Sequence, residues 1–212
     1  MKRLRRLFIL PLLAFLTAAV LIACASAGGG GDAAKTPIKV GSKDFTEQFI
    51  LGEMYALVLE KNGFQVERKL NLGGTPVAQA ALQNNEIDIY PEYTGTGLLT
   101  VLKLPPSSDQ KEVFDKVSQA YKEKFNLVWL TPAPMNNTQA LAMTKAGAQK
   151  YGIKTISDMA AKSDQLVMIG PPEFEVREDG LPGIKQKYGN FQLKEYKAVD
   201  AGLRYKGLVD GE

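Results

Sequence analysis

Residues 38–72 read IKVGSKDFTEQFILGEMYALVLEKNGFQVERKLNL, and the order of elements in this stretch decides the fold. Ile38 to Ser42 is a short apolar strand candidate. Asp44 then stands where an N-cap belongs, with Glu47 three residues on, the spacing of a capping box. A helix from about Thr46 to Lys61 places Ile50, Met54, Leu57 and Val58 on one face, and Asn62-Gly63 stops it. Val66 to Leu72 is the second strand. Two strands joined by one helix in so short a compass imply parallel pairing, because parallel neighbours need a crossover connection.

The same alternation extends outward. Gly73-Gly74-Thr75-Pro76 is a turn with proline placed for a helix start, followed by helix from Val77 to Gln83 and a third strand at Ile87 to Tyr90. A helix near Gln110 to Phe125 and a strand at Leu127 to Leu130 lead to Pro132 and Pro134. A second unit then begins: Gln139 to Thr144 suits a strand, Ser157 caps a short helix through Ala161, and Leu166 to Ile169 is a strand ending in Gly170-Pro171-Pro172. The proline-punctuated stretch 131–137 is taken as a boundary between a first lobe, residues 37–133, and a second, residues 134–212. In open α/β sheets, ligands bind at the carboxyl ends of strands, where helix N-termini offer free amides. Loops 41–46, 73–75 and 91–96 occupy such ends.

Upstream of the globular part, Lys2, Arg3, Arg5 and Arg6 precede an apolar run from Leu7 to Ala23, so residues 1–23 form a signal peptide, with a retained anchor helix as the alternative. Leu21, Ile22, Ala23 and Cys24 resemble a bacterial lipobox, in which the cysteine is acylated and becomes the new N-terminus. Cys24 is the only cysteine of the 212 residues, which leaves it without an internal disulfide partner. Residues 24–36 are small and Gly-rich, the composition of a flexible tether. Removing residues 1–23 takes away four of 26 basic residues and none of 23 acidic ones. The remaining chain is nearly neutral, and nucleic-acid binding loses its electrostatic support.

At the strand-end loops the chain resembles the substrate-binding proteins of osmoprotectant transporters, the family of glycine betaine, carnitine and choline binders. The matching stretches are GSKDFTEQFILGEM at 41–54, EIDIYPEYTGT at 86–96, NNTQALAM at 136–143, GIKTISDMA at 152–160 and PPEFEVREDGLPG at 171–183. The resemblance implies an α/β, two-lobed periplasmic-binding-protein-like fold of type II that closes over a ligand. It also implies docking to an ABC-transporter permease with its ATPase, export, and anchoring to the outer face of the membrane through lipid on Cys24.

The resemblance also nominates residues. A quaternary ammonium offers no hydrogen-bond donors and is held by the negative faces of aromatic rings. Tyr93 matches a cage position of the family, with a strand-end core tyrosine as the alternative. Thr96 matches a position whose hydroxyl lies near the ligand, between Gly95 and Gly97, which permit close backbone approach. Tyr90 is a weaker candidate that points away. Lys43 stands where some relatives carry a glutamine and tilts the site toward a ligand with an anionic end or toward weak betaine binding, unless it is a solvated lysine. Gln139 stands where many carry a further cage tyrosine. Asn137 and Thr138 lie at the crossing between lobes, as ligand contacts or as partners of local amides. Arg177 either grips a carboxylate or pairs internally with the acidic residues around it.

Leu208 to Glu212 echoes Leu82 to Glu86, but the earlier copy runs into a strand and the later one stops. The chain is therefore expected to be truncated, without the return crossover that the family has. No catalytic residues, cofactor or metal site are expected. The chain has no histidine and no spare cysteine, no Walker loop and no dinucleotide fingerprint. Asp88 and Glu92, near one strand end, are a possible pair of carboxylates, but Asp88 is better suited to satisfying loop amides than to acid–base work. A lipid-anchored receptor used in sensing rather than uptake is the alternative function.

Overall fold

The apolar residues of Ile38–Gly41 (β1) pair in parallel with Val66–Lys69 (β2), Ile38 opposite Val66 and Gly41 opposite Lys69, in a computed structural model that describes residues 36–189 and 191–211. The signal peptide, Cys24 and nearly all of the tether lie outside the described residues. The crossover between the strands is the helix Thr46–Lys61 (α1), as its position in the sequence requires. Gly41 is needed at the end of β1 because a Cβ there would come within 2.6 Å of the Ile87 side chain.

Three expectations for this unit need correction. The N-cap of α1 is Phe45, with no side-chain capping bond, so Asp44 and Glu47 do not form a capping box; Glu47 instead turns its carboxylate toward Tyr93 and Asn137. The third strand is reduced to a single parallel bridge between Val40 and Ile89. Its shortness has a local cause, since Asp88 Oδ2 accepts the Lys39 amide at 2.7 Å, with the Asp88 amide bonded to the Lys39 carbonyl. Asp88 thus satisfies a backbone amide, as anticipated.

Helix α1 also inverts the expected face. Ile50, Met54, Leu57 and Val58 are 54 to 61% exposed, and the buried positions are Gln48, Gly52 and Ala56, spaced four apart. Small residues let the helix lie close on β1 and β2, and a Cβ on Gly52 would stand 2.8 Å from Leu70.

Thr75–Gln83 (α2) follows with Pro76 in its first turn. The chain then passes Thr94–Thr96 into a π-helical turn, Gly97–Val101. The helix Gln110–Phe125 (α3) is capped by Asp109, which accepts the Glu112 amide, and ends on the left-handed Asn126. Its buried stripe, Val113, Val117 and Tyr121, packs with Leu98 and Leu102. The strands expected at 127–130 and 139–144 do not form. Leu127 and Trp129 pack on the Val117 cluster, while Val128 and Leu130 are exposed, and among the described residues no strand pairs with this segment. The Trp129 ring lies 2.9 Å from where a Gly97 Cβ would be, so Gly97 serves core packing rather than ligand approach.

Further on come Lys145–Tyr151 (α4) and Ile156–Ala161 (α5). The cap of α5 is Thr155, not Ser157: Thr155 and Asp158 form a reciprocal capping box. Bonds from the Lys154 amide first, and then from Thr155, hold the Asp158 carboxyl below its ordinary range. Val167–Gly170 (β3) pairs in parallel with Glu195–Ala198 (β4). Between them lie Pro172–Val176 (α6) and Leu181–Tyr188 (α7), and Leu203–Asp210 (α8) follows. Ile153, Met159, Leu166, Phe174, Leu181 and Phe191 form the core around this second sheet, while Ala78, Ala81, Ile87 and Tyr90 form one beside the first.

Candidate functional site

Lys43 ends the first strand-loop junction with its side chain inside the protein. Its ammonium donates to Glu92 at 2.6 Å and to Thr75 Oγ1 at 3.2 Å, with both members of the ion pair almost fully buried. It also lies 5.0 Å from the centre of the Tyr93 ring. The solvated lysine is thus corrected, and so is the uncompensated charge that would attract an anion, because Glu92 already matches it. Glu92 joins a relay. Its Oε2 lies 3.0 Å from the Tyr90 hydroxyl, which lies 3.2 Å from the Gln79 side-chain amide. The phenol has one proton and the carboxylate takes it. Gln79 Nε2 has no partner as it lies; turned end for end, the amide donates to the Tyr90 oxygen and completes the chain. Burial and the adjacent Glu92 charge push the Tyr90 phenol well above its ordinary range. Tyr90 therefore supports the site from beneath.

Tyr93 is half-buried at the start of the Thr94–Thr96 turn, its ring stacked near Phe45 with centroids 6.3 Å apart. Its hydroxyl donates to Glu47 Oε1 at 2.6 Å and accepts from Gln48 Nε2 at 3.1 Å. Gln48 is fully buried and also donates to the Pro91 carbonyl and accepts the Lys43 amide. Burial first of all raises the Tyr93 phenol; the bond from Gln48 opposes this and Glu47 adds to it.

The second half of the chain reaches the same cleft. Asn137 Nδ2 donates to Glu47 Oε1 at 2.7 Å. Arg177 grips Asp179 in a two-bond fork at 2.7 and 2.6 Å and donates its remaining edge to Thr96 Oγ1 at 3.0 Å. Glu173 Oε1 accepts the Thr75 amide at the N-terminus of α2 at 3.3 Å. Thr138 and Gln139 are exposed on the lining of this cleft, which also carries Lys43, Tyr90, Tyr93, Thr96 and Asn137. Its volume, ≈ 2620 Å³, exceeds the roughly 300–1,000 Å³ of a closed small-molecule pocket, so this is an open groove.

Sequence reasoning missed Glu47, Gln48, Glu92 and Glu173 as members of the site. All four lie inside motifs already singled out, but polar residues in a motif do not reveal their partners. Of the two readings of Arg177, the internal pair forms, with Asp179, and the same guanidinium touches Thr96 as well.

A family model described as OpuAC, substrate binding domain of ABC-type glycine betaine transport system, matches residues 36–212. The ergothioneine transport permease/ergothioneine binding protein EgtU of Helicobacter pylori (strain G27) is 38% identical over 173 residues, 81% of this chain and 31% of its own length. A glycine-betaine-binding protein of Pseudomonas aeruginosa is 36% identical over 197 residues, 88% of this chain and 63% of its own. Among solved structures, a glycine betaine/carnitine/choline ABC transporter protein matches with a TM-score of 0.53 and 28% identity, covering 82% of this chain and 65% of that one. The chain thus spans from 31 to 65% of the length of these relatives. The mixed α/β architecture is that of periplasmic-binding-protein-like structures.

Proposed function

The chain belongs to the OpuAC family, the substrate-binding domains of ABC-type glycine betaine transport systems, and from that premise we propose that it captures a small osmoprotectant outside the cytoplasmic membrane. It delivers this solute to the permease of an ABC importer, whose ATPase drives uptake. The family is one of transporter binding proteins and not of enzymes. Residues 37–133 and 134–212 act as two lobes that close on the ligand, with Asn137, Thr138 and Gln139 at the crossing. The protein is held at the outer face of the membrane by lipid on Cys24.

The observation that carries this reading is the convergence of an aromatic ring with a cationic and a hydroxyl group in one groove: Tyr93, Arg177 and Thr96. Glycine betaine, carnitine and ergothioneine each join a trimethylammonium to a carboxylate, and choline carries the cation alone. The ring suits the methylated cation, which asks for no hydrogen bond. The Arg177 guanidinium suits the carboxylate through charge-assisted bonds, in competition with Asp179.

The test is the melting temperature of the detergent-extracted full-length chain against glycine betaine, carnitine, ergothioneine and choline. A ligand at a hundred times its dissociation constant adds about 2.7 kcal/mol, and a saturable upward shift is expected. No shift with any quaternary ammonium compound sinks the reading. In the same expression system Cys24→Ser should leave the membrane fraction, and its retention there removes the lipid anchor.

A further inference from the structure

The phenol oxygen of Tyr93 is held from two sides by consecutive residues of the first turn of α1. Glu47 accepts its proton at 2.6 Å, and Gln48 donates to it at 3.1 Å. A tyrosine hydroxyl has one proton to give, and here it is spent on a carboxylate, the stronger acceptor. Both anchors are themselves fixed. Gln48 has its remaining bonds at the Pro91 carbonyl, 2.9 Å, and the Lys43 amide, 3.1 Å, so it cannot rotate without releasing two loops of the groove. Glu47 Oε1 is shared with Asn137, 90 residues away, in the segment that crosses to the second half.

We infer that Glu47 and Gln48 are positioning residues of the ligand site, which clamp the Tyr93 hydroxyl so that only the ring face is offered to the ligand, and which tie that ring to the crossing segment through Asn137. This rests on the proposed binding function and sharpens it. With its oxygen already accepting from Gln48 and its proton given to Glu47, Tyr93 favours a ligand group that needs no hydrogen bond, an alkylated ammonium over a primary one of equal charge. The motif residues Glu47 and Gln48 thereby acquire a role that neither has as a helix cap.

A double-mutant cycle on glycine betaine affinity tests the clamp. Glu47→Ala and Tyr93→Phe should each weaken binding about tenfold, the first by releasing the ring and the second by removing the held oxygen. The double variant should be no weaker than about tenfold, since the two changes break one linkage. Losses that multiply to about a hundredfold overturn the inference. Glu47→Gln, which keeps an acceptor oxygen, should recover most of the affinity lost in Glu47→Ala.

A ligand-free measurement separates this inference from the binding function. Alkaline ultraviolet titration of each variant, differenced against the same variant carrying Tyr93→Phe, follows the Tyr93 phenol alone. Its charged surroundings are Glu47, Glu92 and the Lys43 ammonium. Glu47→Gln should lower the phenol's titration because a repelling carboxylate is gone, and Gln48→Met should raise it because a donor that favours the phenolate is gone. If neither moves, the clamp is overturned. If both move while no quaternary ammonium binds to the parent protein, the clamp stands and the binding function falls.

Discussion

At the scale of single residues, the Lys43–Glu92 pair dominates the electrostatics of the groove. Its side chains are 4 and 6% exposed, so the charges have lost most of their hydration and depend on each other and on Thr75 and Tyr90. Removing one charge is expected to cost more than removing both. Glu92→Gln should destabilise the protein by about 3–5 kcal/mol in urea unfolding, because Lys43 is then buried without its counter-charge. Lys43→Met together with Glu92→Gln should recover most of that loss. A Glu92→Gln variant within about 0.5 kcal/mol of the parent would show that Lys43 reaches water on its own.

At the scale of elements, α1 shows why periodicity finds a helix but not its orientation. Its apolar residues at 50, 54, 57 and 58 share one face, as read, but the face laid on the sheet is that of Gln48, Gly52 and Ala56. Two small residues there allow close approach to β1 and β2, and the polar Gln48 is accepted because all of its hydrogen-bonding groups are satisfied. Leu57→Gln should therefore change stability by less than about 0.5 kcal/mol. A loss of about 2–5 kcal/mol, the cost of truncating a core leucine, would mean that this face is covered in solution.

At the scale of the whole molecule, two parallel two-stranded sheets stand with separate hydrophobic clusters. Among the described residues, polar contacts between the halves include Asn137 with Glu47, Arg177 with Thr96, and Glu173 with the Thr75 amide. Polar contacts of this kind are worth about 1 kcal/mol each, less than either core supplies. Trp129, the only tryptophan, sits with the Val117 cluster and reports on the first half alone. In urea its fluorescence midpoint should differ from that of far-ultraviolet circular dichroism, which follows all the helices and strands. Coincident midpoints would mean that the halves unfold as one cooperative unit.

How much of this was legible in advance follows from the range of the interactions involved. The residues from Ile38 to Lys69 determined by themselves a strand, a helix and a parallel strand, because hydrophobic period, turn residues and the need for a crossover are all local. The groove loops, with Tyr93 and Thr96 in them, followed from motif and strand order. The strands not formed at 127–130 and 139–144 show the limit, since an extended apolar segment becomes a strand only if a neighbour accepts its hydrogen bonds. Lys43 shows it again at the site. A lysine at a strand end is equally consistent with solvent, ligand or a buried carboxylate, and only the tertiary structure, by bringing Glu92 to 2.6 Å from a residue 49 positions away, decided that its charge is matched from within.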